Sequence, residues 1–264
     1  MFRHGYSACM TSTAADRTHT APADGPRTAL LDGPRTALLD GPRTALLAGA
    51  TGLIGRALLA LLHASPHYDH VHVLARRAAA EIAGVRADAR STFHAVDFAH
   101  LPETLPAVDD VYIALGTTIK MAGSEAAFRQ VDFDFVVNTA RAARAAGATR
   151  LAVVSALGAD AKSRLFYNRV KGEMQDSVTQ LGFDTVVIAQ PSLLLGDRAA
   201  LGQPARAGEV WATRLLAPVM WMVPRGVRPI PARTVAAAML TATLAGAPGI
   251  HVLSSARMQS GAAR

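Results

Sequence analysis

From residue 44 onward, short apolar runs alternate with longer stretches whose apolar positions recur at helical spacing. Thr44–Ala48, Val71–Ala75, Thr92–Val96, Val111–Leu115, Leu151–Ser155 and Thr185–Ala189 are too short for helices and are bounded by turn residues, so each reads as a strand. Between them, Leu53–Ala64, Ser124–Ala146 and Leu165–Leu181 read as helices, with Ser124 as an N-cap and Gly147 and Gly182 as stops. Further on, Thr234–Leu244 predicts a helix and Ile250–Leu253 a last strand. Runs that are apolar throughout mark strands buried on both faces. The pattern therefore predicts an α/β fold, a doubly wound parallel sheet with right-handed crossovers. Residues 190–264 form a small C-terminal substrate-side region within it.

The stretch before residue 42 breaks this pattern. Asp24–Leu31 recurs without change as Asp32–Leu39 and Asp40–Leu47, and only the third copy runs into the first strand and Ala48-Gly49. Three octapeptides are too few for a solenoid, and the repeated Asp-Gly-Pro steps interrupt any long helix or strand. Residues 1–41 are thus expected to be a disordered arm and 42–264 a single domain.

Charge narrows the partners. The formal net charge is +7, but residues 1–41 and 42–197 each sum to zero, and residues 198–264 hold eight arginines against Glu209 alone. A nucleic-acid binder would spread its basic face more widely, so no nucleic acid is expected. Cys9 is the only cysteine, which excludes an internal disulfide and a cysteine-based zinc site. Ala45–Ala64 imitates a membrane span but contains Arg56, Gly49, Gly52 and Gly55, so no integral membrane segment is expected. No secretory leader is visible in the first residues, and a cytoplasmic protein is the expectation. His63, His67, His70 and His72 cluster in sequence but fall on different elements, and no metal site is expected.

Gly49-Ala50-Thr51-Gly52-Leu53-Ile54-Gly55 follows the first strand and opens a helix, the setting a dinucleotide-binding turn requires. Gly49 permits the tight turn, Gly52 lets a pyrophosphate approach the backbone, and Gly55 lets the helix pack closely. Phosphates then sit at the positive helix end, so Gly49, Thr51, Gly52, Leu53, Ile54 and Gly55 are candidate contacts. The second strand ends in Arg76-Arg77, where an NAD enzyme carries an acidic residue for the ribose. A guanidinium there pairs with a 2′-phosphate, so the expected cofactor is NADP(H), held by Arg76 with help from Arg56. Asp97 and Phe98 follow the third strand, where a side chain can border the adenine.

With that turn in hand, five further segments complete a resemblance. They are Leu115-Gly116-Thr117-Thr118, Val131-Asp132-Phe133-Asp134-Phe135-Val136, Val154-Ser155-Ala156-Leu157-Gly158-Ala159-Asp160, Tyr167-Asn168-Arg169-Val170-Lys171-Gly172-Glu173 and Gln190-Pro191-Ser192-Leu193-Leu194-Leu195-Gly196. Over about residues 43–254 the chain resembles the atypical short-chain dehydrogenase/reductases, in the branch of the Tat-interacting-protein-like oxidoreductases and their bacterial relatives. The resemblance implies a Rossmann fold with NADPH along the glycine turn. Gly116, Thr117 and Thr118 then line the nicotinamide ribose, and Pro191 and Ser192 its carboxamide side. Two positions depart from the pattern: Asp132 stands where extended relatives carry Asn, and Gln190 where relatives often carry Arg.

Tyr167 and Lys171 are four residues apart, which puts both on one helix face. The Tyr167 phenol would move a proton to or from a substrate oxygen, the Lys171 ammonium would favour the phenolate, and Ser155 at a strand end would hold that oxygen. The expected function is an NADP(H)-dependent oxidoreductase moving a hydride between nicotinamide and a small carbonyl or alcohol substrate. The alternative is an NADPH-binding redox sensor with little turnover, acting through a regulatory protein partner; a homodimer is compatible with either. Trp211, Leu215, Leu216, Met220, Trp221 and Met222 form an apolar stretch that reads as core and lid, dimer or membrane-facing surface, and the nearby Arg214, Arg225 and Arg228 read either as selecting an acidic substrate or as solvated charges.

Overall fold

The structure, a computed structural model, describes residues 41–77, 89–195 and 226–261. All of them belong to the unit Ala37–Arg264. The first strand, β1 (Arg43–Ala48), is the hub of the molecule. It pairs in parallel with β2 (Tyr68–Ala75) on one side and β4 (Asp110–Ile113) on the other. Its side chains alternate: Ala45 and Leu47 enter one core, Leu46 and Ala48 the other. β3 (Ser91–Ala95), β5 (Arg150–Val154), β6 (Thr185–Gln190) and β9 (Gly249–Ser254) extend the sheet to seven strands. Its order is β3-β2-β1-β4-β5-β6-β9, every pairing parallel.

Helices cover both faces. Leu58, Leu59 and Leu62 of α1 (Leu53–Ala64) share one core with Val235, Ala236 and Met239 of α6 (Ala232–Ala245). Val136, Ala140 and Ala143 of α4 (Phe135–Ala145) share the other with Met174 and Val178 of α5 (Phe166–Thr179). This is the doubly wound Rossmann architecture that the apolar runs predict. The strand order reverses between β1 and β4, and the C-terminal ends of those two strands open the crevice in which such sheets take their ligands. At the opposite end, a bidentate Arg43–Asp110 ion pair (2.8 and 2.9 Å) ties β1 to β4.

The predicted helix Ser124–Ala146 begins and ends where its caps require. Ser124 Oγ accepts from the Ala127 amide, and Gly147 has φ +104°. Its interior differs. α3 (Glu125–Arg129) leads into a π-helical segment, Gln130–Asp134, before α4 resumes. One further short helix, α2 (Ile119–Ala122), precedes it. Beyond β6, the two-residue strands β7 (Leu194–Leu195) and β8 (Ile230–Pro231) pair in parallel, and α7 (Ser255–Gln259) follows β9. Part of the segment expected to face substrate thus builds the main sheet and core instead, through α6 and β9. The octapeptide repeats up to residue 40, Cys9 and the stretch from Trp211 to Arg225 lie outside the described residues.

Candidate functional site

The glycine turn separates into two kinds of position. At Gly49 (φ +93°) a Cβ would lie 2.5 Å from the Ala114 carbonyl, so the turn presses against the end of β4. At Gly55 a Cβ would lie 1.9 Å from the Gly49 oxygen, so α1 can descend onto the turn only with glycine there. Gly52 is different: its Cβ would meet only the Gly49 oxygen, at 3.5 Å, an ordinary contact. Nothing among the described residues demands glycine at this position, which leaves the backbone open to a ligand lying on it. Gly52 is also the N-cap of α1, which has no side-chain cap and no acidic residue in its first turn. That free helix end suits a phosphate, so the residues present fit a dinucleotide.

Two cavities meet at the turn. One, of about 430 Å³, is lined by Gly49–Gly52, the end of β2 with Arg76 and Arg77, Phe98, and Gln130, Val131 and Phe135. Phe98 stacks on Phe135 at 5.9 Å between centroids. Two arginines and no acidic side chain line it among the described residues. The other, of about 610 Å³, runs from Gly52–Ile54 past Ala114–Ile119 to Ser155, Tyr167, Lys171 and Pro191–Leu194. Gly52, Ala114–Thr117 and Met121 border both, so the two form one trough over the ends of β1 and β4.

In the larger cavity α5 presents Tyr167 and Lys171 one helical turn apart, and Ser155 follows β5. The Tyr167 ring lies against Phe128, 5.3 Å between centroids, and its hydroxyl has no hydrogen-bond partner among the described residues. Lys171 is 3% exposed, and its Nζ lies 2.7 Å from Oδ1 of Asp132, itself 1% exposed. The other Asp132 oxygen accepts from the Thr117 amide at 2.8 Å. Asp132 comes from the π-helical segment, a kind of insertion often found at functional sites. It joins the lysine to the loop after β4 and lines the same cavity. The sequence marked this carboxylate only as a departure, since its partner is set by tertiary packing.

Ser155 is buried, and Gln175 Nε2 lies 2.6 Å from its Oγ; Gln190 Nε2 lies 3.2 Å from Gln175 Oε1. Gln175 continues the face of Tyr167 and Lys171 by one more turn. The four-residue spacing is the signal that could have found it.

Other expected contacts disperse. Gly49, Thr51, Arg76 and Phe98 line the smaller cavity, and Leu53, Ile54, Gly116, Thr117, Thr118, Pro191 and Ser192 the larger one or both. The Thr118 hydroxyl accepts from the Met121 amide as the α2 N-cap. The Ser192 hydroxyl donates to the Arg228 carbonyl and lies 2.9 Å from Ser255 Oγ. Arg56 lines neither cavity, and its buried Nε has no hydrogen-bond partner among the described residues. Asp97 also lines neither; its exposed carboxylate is held below the usual range by hydrogen bonds from His100 and the Ala99 amide. Among the described residues no group of three or more His, Cys, Asp or Glu could hold a metal ion. Among them too, no helix is long and apolar enough to cross a membrane.

Comparison with known proteins adds to this geometry. The sequence model of a family described as NAD(P)H-binding matches residues 49–200. The mitochondrial protein FMP52 of Candida albicans is 34% identical over 154 residues, which are 57% of this chain and 66% of that protein. Its counterpart in Coccidioides immitis is 34% identical over 160 residues, 57% of this chain and 65% of that protein. The match thus spans just under two thirds of the length of these two relatives. Among solved structures, the ADP-L-glycero-D-manno-heptose-6-epimerase of Helicobacter pylori superposes with a TM-score of 0.59 at 16% identity, covering 81% of this chain and 77% of that one. The Bordetella bronchiseptica enzyme WbmF in complex with NAD+ gives 0.56 at 16%, covering 83% and 76%. These two likenesses show the fold. The relatives overturn the expectation of a cytoplasmic protein, because they are mitochondrial by name.

Proposed function

The chain belongs to the NAD(P)H-binding family, and from that premise we propose that it is an NADP(H)-dependent oxidoreductase of the short-chain dehydrogenase/reductase type, interconverting a carbonyl compound and its alcohol. The observation that carries this is the trough itself. It runs from the glycine turn and the uncapped end of α1 to a wall on which Ser155, Tyr167 and Lys171 stand together.

Gly49, Thr51, Gly52, Leu53 and Ile54 would hold the pyrophosphate, with Gly55 letting α1 pack onto the turn, and Gly116, Thr117 and Thr118 would hold the nicotinamide ribose. Pro191 and Ser192 would border the carboxamide. Arg76 would pair with the 2′-phosphate, supported by the lack of an acidic lining residue beside it among the described residues. When bound, NADPH supplies the hydride, the overall change being carbonyl plus NADPH plus H+ to alcohol plus NADP+. Tyr167 gives its phenolic proton to the carbonyl oxygen, or takes one from the alcohol in the reverse direction. Lys171 stands one turn away as the electrostatic partner of that phenol, and Ser155 positions the substrate oxygen.

The test is Tyr167→Phe assayed with NADPH and a panel of carbonyl compounds. Loss of a general acid is expected to lower kcat by at least about a hundredfold; unchanged reductase activity overturns the assignment. The Asp132–Lys171 ion pair favours a second reading, a redox sensor that binds NADPH and turns over little, because the ammonium is already engaged by a carboxylate. Turnover of any panel member by the unaltered chain at about one per second or faster, an ordinary enzyme rate, retires that reading.

A further inference from the structure

The wall of the larger cavity separates its polar from its apolar groups. Nine large apolar side chains are exposed among the described residues, and six of them, Ile119, Met121, Leu157, Tyr167, Leu193 and Val227, line this one cavity. Single exposed apolar residues are ordinary, but six around one opening form a patch of the kind that binds a ligand. Two charged groups line the cavity among the described residues, Asp132 and Lys171, and they neutralise each other at 2.7 Å while nearly fully buried. A phosphate or carboxylate placed here finds no uncommitted cation on the described wall.

The hydroxyls are equally uneven. Ser192 is engaged by the Arg228 carbonyl and Ser255, and Thr118 caps α2. Ser155, whose Oγ accepts from Gln175 Nε2 and keeps its own hydrogen to donate, remains with Tyr167 and Thr117 as the polar end, with the apolar rim beyond them. A nucleoside diphosphate sugar, dense in hydroxyls and carrying two phosphates, has no matching surface among the described residues. A molecule with one reacting oxygen and a hydrocarbon body does.

We propose that the substrate is an uncharged aldehyde or ketone, or the matching alcohol, whose single oxygen meets Ser155 and Tyr167 and whose aliphatic or aromatic body lies along Leu157, Leu193 and Val227. This rests on the oxidoreductase reading of the same site and names its substrate class.

The experiment uses the full chain with NADPH and straight-chain aldehydes from propanal to nonanal, with succinic semialdehyde and UDP-glucose alongside. Each methylene laid on the apolar wall is expected to raise kcat/KM by about threefold until the cavity is filled. Succinic semialdehyde is expected to fall at least about tenfold below butanal, which has the same number of carbons, because its carboxylate lacks a partner. Leu193→Arg places a cation on the rim at a position already 39% exposed. It is expected to raise succinic semialdehyde relative to octanal by about tenfold.

A flat aldehyde series, or a preference for succinic semialdehyde or UDP-glucose by the unaltered chain, overturns the substrate class and leaves the oxidoreductase standing. Calorimetric binding of octan-1-ol and of UDP-glucose in the presence of NADP+ gives a readout without hydride transfer. Octan-1-ol bound with a negative heat-capacity change and weakened by Leu193→Arg, with no aldehyde reduced, supports the apolar site and overturns the oxidoreductase. UDP-glucose bound more tightly than octan-1-ol overturns the apolar site.

Discussion

Replacing Asp132 by alanine is expected to be among the most costly single changes in the wall of the cavity. Both carboxylate oxygens are committed, one to Lys171 Nζ at 2.7 Å and one to the Thr117 amide at 2.8 Å, and the residue is 1% exposed. Alanine leaves an ammonium that is 3% exposed without its counter-charge and a backbone N–H without its acceptor. The lysine has little room to reach water. Gly116 closes over the pair, so that a Cβ there would lie 3.2 Å from Asp132 Oδ1 and 3.8 Å from Lys171 Nζ. The next residue on α5, Gly172, is wedged against the Asp160–Ala161 backbone, where a Cβ would come within 2.0 Å of the Ala161 nitrogen. Breaking a buried pair from one side costs about 3–5 kcal/mol, or about 6–20 °C in Tm for a domain of this size. Asp132→Asn, which keeps an oxygen for the Thr117 amide and gives up the charge, falls between alanine and the unaltered chain. Joint replacement, Asp132→Leu with Lys171→Met, removes both charges and is expected to cost at least about 2 kcal/mol less than the sum of the two single changes. Urea unfolding with linear extrapolation measures the unaltered chain, Asp132→Ala, Asp132→Asn, the single changes Asp132→Leu and Lys171→Met, and the double variant. A loss below about 1 kcal/mol for Asp132→Ala, or simple additivity in the double variant, refutes the coupling argued from the ion pair.

Gly52→Ala and Gly55→Ala separate cofactor from fold: the first is expected to leave Tm nearly unchanged and weaken NADPH by at least about tenfold, whereas the second, with its Cβ 1.9 Å from the Gly49 oxygen, lowers Tm sharply in a thermal melt. Equal losses of stability in the two would sink the distinction. Arg76→Ala is expected to narrow the preference for NADPH over NADH in kcat/KM by at least about tenfold, the worth of one lost charge-assisted pair; an unchanged ratio removes Arg76 from the phosphate. Burial, with His70 and His94 alongside, pulls His72 down to about 4 from 6.5, while its Nδ1 lies 3.0 Å from His94 Nε2. The unfolded chain therefore takes up a proton at this residue before the folded one does, so the stability it contributes is complete above pH 6.5 and is lost as the pH falls toward 4. His72→Gln is expected to flatten that part of the stability–pH curve, and a parallel curve for the variant rejects the assignment.

What the sequence made legible follows from how local each cause is. The end of β1, the turn and the whole of α1 from Leu53 to Ala64 were readable to the residue. Glycines with no room for a Cβ sit where strand becomes helix. That Tyr167 and Lys171 share one face of a helix was readable, because the four-residue spacing puts them there. The π-helical segment was not. One extra residue in a turn leaves the apolar period before and after it intact, so Ser124–Ala146 reads as one continuous helix. Yet that segment supplies the carboxylate that lies beside Lys171, and the choice between solvent and site depends on a partner from α5 and an amide from the loop after β4.

The same argument explains Ser155. Its position after β5 came from the apolar run, but Gln175 beside it belongs to α5 and Gln190 to the end of β6. Three elements must assemble before that hydrogen-bonded chain exists, and no window of sequence contains it. The candidate residues were thus visible as types at spacings, while the groups that contact them became visible only in the fold. If that division is physical, substitutions at Gln175 and Asp132 should change how well the site performs its reaction, whereas those at Tyr167 decide whether it does so at all.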